Sequence, residues 1–82
     1  MATDKVVKVT NPSVGTGDTL ASYNVYSDQD GLLGNLTAAN AADPGLTVSL
    51  TDGLLHAVTA KPVGTSSGEY NAASNIVEVD LS

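Results

Sequence analysis

Between Leu46 and Leu81 apolar residues return at every second position in three successive runs. That period narrows the folds open to the chain more than any other feature. Leu46, Val48 and Leu50 alternate with Thr47 and Ser49, the pattern of a strand with one face in a core. Asp52-Gly53 follows, a pair suited to the left-handed backbone of a tight turn. The run Leu54 to Pro62 places His56, Val58 and Ala60 on one face and Leu55, Ala57, Thr59 and Lys61 on the other. Gly64-Thr65-Ser66-Ser67-Gly68 reads as a loop by composition. In the last run Val77, Val79 and Leu81 turn inward and Glu78, Asp80 and Ser82 outward, while Ile76 breaks the pattern and is expected at a sheet face or the strand entrance.

The upstream half supplies strands to cover what this stretch buries. Lys5 to Thr10 predicts the first, with Val7 and Val9 toward the core and Val6 beside Lys8 on the other side. Asn11-Pro12 ends it, because proline brings no ladder donor and restricts the residue before it. Ser13 to Asp18 reads as a long turn. Thr19 to Ser27 is the second major strand, with Tyr23 and Val25 facing one way and Asn24 and Tyr26 the other. Asp28-Gln29-Asp30-Gly31 reads as a hairpin turn. A calcium loop of the EF-hand kind needs glycine sixth and glutamate twelfth, whereas Gly31 comes fourth and Ala39 twelfth. Leu32 to Thr37 is a short edge strand, Thr37 to Asp43 at most one helical turn, and Pro44-Gly45 a type II turn launching Leu46. Asn35-Leu36-Thr37 has the form of a glycosylation acceptor, which carries little weight without a secretion signal.

At these residues the chain resembles a fibronectin type III domain, in the compact form found in bacteria and phages. Leu50, Gly53 and His56 stand where the family's strand E to strand F corner has leucine, glycine and a tyrosine. Val58, Ala60 and Lys61 continue that pattern, and Gly68-Glu69-Tyr70-Asn71-Ala72-Ala73-Ser74-Asn75 is similar to the family's loop into strand G. Tyr23-Asn24-Val25-Tyr26 resembles its strand C. The chain has no tryptophan for strand B, and His56 replaces a tyrosine whose hydroxyl bonds back to the backbone. The resemblance spans Tyr23 to Leu81. It implies a small antiparallel β-sandwich, immunoglobulin-like and shortened, of about six or seven strands, in a single domain over residues 1–82.

Composition bounds the function. A chain of 82 residues without Phe, Trp or Cys builds its core from Val, Leu and Ile, with no disulfide to assist. Either that aliphatic core suffices or contact with a partner steadies it. Three basic against nine acidic residues argue against nucleic acid and against anionic membrane surfaces, both of which call for clustered Lys and Arg. Met1 to Lys5 carries no apolar signal core, and no run approaches transmembrane length. One histidine with scattered serines makes no nucleophile, base and orienting group, so His56 is expected to pack or to cap its turn. Neither a metal ligand set nor a phosphate-binding glycine loop is spelled out, and no cofactor is expected.

The expectation is therefore a non-enzymatic structural or interaction protein. The resemblance implies a virion component of a bacteriophage, decorating a capsid or another particle surface and docking onto a repeated protein lattice such as capsid protein. The candidate contacts are Leu32, Leu33 and Leu36 on the edge strand, and Ser66, Ser67, Glu69 and Tyr70 on the loop, since loops at the ends of such domains commonly carry binding. The same surfaces are compatible with a homo-oligomer. The alternative is a spacer or accessory module of a secreted bacterial glycan-degrading enzyme or adhesin, which would place the chain outside the cell.

Overall fold

A computed structural model describes residues 2–9, 14–42, 44–71 and 77–82. Among these residues the chain forms seven strands: β1 (Ala2–Val7), β2 (Leu20–Ser27), β3 (Gly31–Thr37), β4 (Leu46–Thr51), β5 (Leu55–Gly64), β6 (Gly68–Glu69) and β7 (Val77–Asp80). The only helical piece among them is a 3-10 turn at Ala38–Asn40. All pairings are antiparallel. β1 pairs with β4, and the other five strands form a second sheet in the order β3-β2-β5, with β6 and β7 sharing the far edge of β5.

β5 is the spine of the larger sheet, and its alternation sets which side is dry. His56, Val58, Ala60, Pro62 and Gly64 are buried, while the residues between them are not. Against it β2 places Val25 opposite Ala60 and Tyr23 opposite Pro62, so the buried faces of the two strands coincide. Pro62 is tolerated inside the strand because the N and C=O of one residue point to the same edge. Its carbonyl accepts from Tyr70 N at 2.9 Å on the β6 side, so the missing donor lies away from β2. Val48 and Leu50 of β4 join Tyr23, Val25, Leu36, Val58 and Ala60 in one apolar cluster fed by both sheets. Tyr23 is its only aromatic member. Fully burying a side chain such as Leu50 stabilises the fold by about 1.5–3 kcal/mol.

The β4–β5 corner turns at Gly53, whose φ of +84° a side chain would resist. Gly53 N donates to Leu81 O at 2.7 Å and Leu81 N to Leu54 O at 2.9 Å, so the last residues tie down the corner. Gly45, with φ +83°, lies so close to the Val7 carbonyl that a Cβ there would overlap it.

Several expectations shift in detail. β1 begins at Ala2 and ends at Val7, earlier than Lys5 to Thr10. Val9, past its end, is nonetheless buried, held by a bond from its N–H to Ala41 O at 2.8 Å. β5 runs on through Pro62 to Gly64, and Gly68–Glu69 pairs with it as β6 rather than forming loop alone. Thr10 to Ser13, with the proposed Asn11-Pro12 stop, lie outside the described residues, as do Asp43, Ala72 to Ile76 and the side chain of Val77.

Candidate interaction surface

The side of the five-stranded sheet turned away from the core gathers polar and aromatic groups from four strands. The register sets Asn24 opposite Asn35 and Lys61, and Tyr26 opposite Leu32 and Thr59. Tyr26 reaches beyond β5: its hydroxyl donates to Glu69 Oε2, and Asn24 Nδ2 donates to the same oxygen at 2.8 Å. Lys61 Nζ stands 5.5 Å from the centroid of the Tyr26 ring, within cation–π range. Asn35 Nδ2 extends the network, donating to Ser22 Oγ at 2.9 Å and Asn24 Oδ1 at 3.1 Å. The Tyr26 hydroxyl, with Asn24 beside it, holds the Glu69 carboxyl below its usual range. The same bond raises the Tyr26 hydroxyl, since the carboxylate favours the protonated phenol.

The hairpin at 64–70 is fastened from its other side by Asp18. Its Oδ1 accepts from Thr19 N at 2.8 Å and Ser66 N at 3.1 Å, and its Oδ2 from Tyr70 Oη at 2.7 Å. These bonds, that of Tyr70 first, lower the Asp18 carboxyl to about 2. Two glycines make room for the clamp. A Cβ at Gly64 would overlap the Asp18 carboxylate, and one at Gly15 would stand 3.2 Å from Tyr70 Oη. Thr65 N adds a bond to Thr19 O at 2.9 Å. Thr65, Ser66 and Ser67 are left exposed on a turn held on both flanks.

A third cluster brings Ser27, His56 and Asp30 together at the β4–β5 corner. His56 Nε2 faces the Thr51 carbonyl at 2.8 Å, so in the neutral ring this nitrogen carries the proton and donates. Nδ1 then accepts from Ser27 Oγ at 2.7 Å, and that oxygen accepts in turn from the backbone N–H of Gln29 and Asp30. The Asp30 carboxylate is occupied by Thr51, whose N and Oγ1 both donate at 2.9 Å, and lies 3.9 Å from His56 Nδ1. The Thr51 amide is the chief reason the Asp30 carboxyl falls below its usual range. A nucleophile relay needs serine on one ring nitrogen and the carboxylate on the other. Here both stand at Nδ1, Nε2 is committed to backbone, and Ser27 is buried. The cluster caps the corner, as the sequence led us to expect of His56.

The seven residues singled out from the sequence fall into different roles. Leu32 is 61% exposed on the outer face, and Ser66 and Ser67 are exposed on the hairpin. Glu69 is exposed, but its carboxylate is engaged by Tyr26 and Asn24. Tyr70 is half-buried as part of the Asp18 clamp. Leu33 is partly buried against the core. Leu36 requires a correction: it is 2% exposed, a core residue opposite Tyr23, and its side chain is not available to a partner. The edge strand and the hairpin lie at opposite edges of the sheet with β2 and β5 between them, three strand spacings or roughly 14 Å. Asn24, Tyr26 and Lys61, which connect the two across the outer face, were not among them, although the alternation set Asn24 with Tyr26 on one face of β2 and Lys61 on the face of β5 opposite His56, Val58 and Ala60.

Among the described residues no group of three or more His, Cys, Asp or Glu could hold a metal ion, and no helix is long and apolar enough to cross a membrane. No protein-family model matches the chain, and neither curated proteins nor solved structures provide a match.

Proposed function

We propose that the chain is a non-enzymatic interaction module, a compact β-sandwich of the fibronectin type III kind. It docks onto a repeated protein lattice, such as a bacteriophage capsid, through the hairpin at 64–70. The sandwich reading is supported by the β4–β5 corner, where His56 bonds back to the Thr51 carbonyl as the family's tyrosine hydroxyl bonds to backbone. It is also supported by the contribution of both sheets to one core.

The observation that carries the docking reading is the rigidity built into the hairpin. Asp18 and Tyr70 hold one flank, and Glu69, Tyr26 and Asn24 hold the other, so Ser66 and Ser67 are presented on a fixed turn. A surface ordered before contact loses less entropy on binding, which raises affinity without added area. On a lattice of many identical sites, weak contacts repeated by tethered or neighbouring copies become effective.

The test is the intact mass of the polypeptide in its native source, with particles separated from soluble material. A free chain of this length travelling with particles, cross-linked through the 64–70 hairpin, is the expected result. The same peptides found only within a much longer secreted chain would overturn it and leave the spacer module as the answer.

A further inference from the structure

We infer that the open edge of β3 pairs antiparallel with β3 of a second copy of this chain, joining two five-stranded sheets across a twofold axis. This goes beyond docking through the hairpin and does not depend on it, because the two surfaces lie at opposite edges of the sheet.

Among the described residues β3 pairs with β2 alone and ends the sheet. Natural sheets blunt such edges with charge, proline, a bulge or a cover. Gly31–Thr37 contains no charged residue and no proline, and Leu32 is 61% exposed on it. Its one protective feature is the bulge at Leu33, where the register shifts between Val25 and Tyr26. Beyond the bulge, Gly34–Thr37 is regular against Val25–Ser22 and leaves its outer edge to a further strand.

The charge distribution selects a second copy as the occupant. The chain carries a net charge of −6, so two copies repel through most approaches. The β3 side is the exception. β4, which adjoins β3 through Leu46 packed on Gly34, has no charged residue either, and the carboxylates of Asp28 and Asp30 stand before the first residue of β3 rather than along it. Charged residues stand instead on other strands, Asp4 and Lys5 on β1 and Glu78 and Asp80 on β7. Antiparallel pairing also keeps Asp28 and Asp30 of one copy away from those of the other and sets them toward Thr37 to Asn40, where no charge stands. A parallel alignment would oppose the acids to themselves, and like charges across a seam are unfavourable. A twofold contact of one edge with itself closes at two copies and leaves both hairpins free.

Sedimentation equilibrium of the full chain tests this, alongside Leu32→Lys and Val6→Lys. Both variants replace an exposed apolar residue by the same charge, the first at the β3 edge and the second on β1. The expected result is a mass that rises with concentration to that of a dimer, at least about tenfold weaker in Leu32→Lys and undiminished in Val6→Lys, because only the first puts a charge on the β3 edge, the device by which natural sheets keep a further strand off. Amide exchange supplies a readout on the unaltered chain: the N–H groups of 34–37 that face away from β2 should slow as concentration rises. A chain monomeric into the millimolar range, a dimer equally weakened by both variants, or exchange at 34–37 indifferent to concentration would each overturn the inference. So would protection of those amides only on particles, which would assign the edge to a strand from the lattice.

Discussion

The two edges of the five-stranded sheet are finished in opposite ways. At the β6 edge the hairpin is bound by a carboxylate on each side, Asp18 to Tyr70 and Ser66, Glu69 to Tyr26 and Asn24. At the β3 edge the backbone of an uncharged strand closes the sheet, with no strand beyond it among the described residues. A small domain without disulfides has little stability to spare. It nevertheless places its polar crosslinks at one edge and leaves the other bare. The first edge is built to hold a shape, and the second keeps the capacity to pair.

The largest expected effect comes from the corner that anchors both. His56 links Ser27, at the end of β2, to Thr51, at the end of β4, and is itself 0% exposed. His56→Ala strands a buried hydroxyl and a carbonyl and opens a cavity. Urea denaturation should report a loss of about 2–4 kcal/mol. Because Asp30 and the start of β3 are tied to the same corner, amides of β3 should exchange faster in this variant than those of β6. Equal loosening at both edges would show that the corner does not distinguish them.

A smaller effect isolates the hairpin. Gly64→Ala places a methyl group onto the Asp18 carboxylate without touching β3. Gly64 is not among the glycines of positive φ, so the expected loss of about 1–3 kcal/mol is steric rather than conformational. Asp18→Asn combined with Gly64→Ala should recover little, because the amide is as large as the carboxylate. Combined with Asp18→Ala, the glycine substitution should become nearly silent in the same denaturation measurement, the mark of two residues sharing one contact.

Much of this contrast was legible in the sequence, and its gaps have physical causes. Alternation put Val48 and Leu50 on a buried face and grouped Tyr23 with Val25 and Val58 with Ala60, faces that the structure turns into the core, since a strand with one dry face has no other pattern open to it. It also placed β3 at an edge. It could not assign the leucines of β3 to faces, because the bulge at Leu33 breaks the period and puts Leu32 outward and Leu36 inward. The Asp18 clamp left no local trace: Asp18 and Tyr70 stand 52 positions apart, and only the pairing of β2 with β5 brings their flanking loops together. The role of His56 was readable from the corner motif, but its partner Ser27 was not.

The smallest expected effect is the pH dependence of the hairpin, and its sign separates the two edges once more. The Asp18 carboxyl is lowered to about 2 by hydrogen bonds that only the folded chain makes, so folding favours its ionised form. Its contribution is complete above the ordinary carboxylate range, begins to decline as pH falls through about 4, and is gone below about 2. Glu69 is lowered in the same direction by Tyr26 and Asn24, so its contribution fades with the same sign. β3 contains no titrating residue, and the lowered Asp30 that precedes it ties only the start of the strand, to Thr51, on the far side of the bulge from 34–37. Amide exchange followed between pH 5 and 2, each rate corrected for its intrinsic pH dependence, should therefore lose protection at Thr65, Ser66 and Tyr70 before it does so at the amides of 34–37 that face β2. Asp18→Asn should erase most of that difference in order. Simultaneous loss at both edges in the unaltered chain would mean that the carboxylate clamp contributes to the whole fold and not to its own edge.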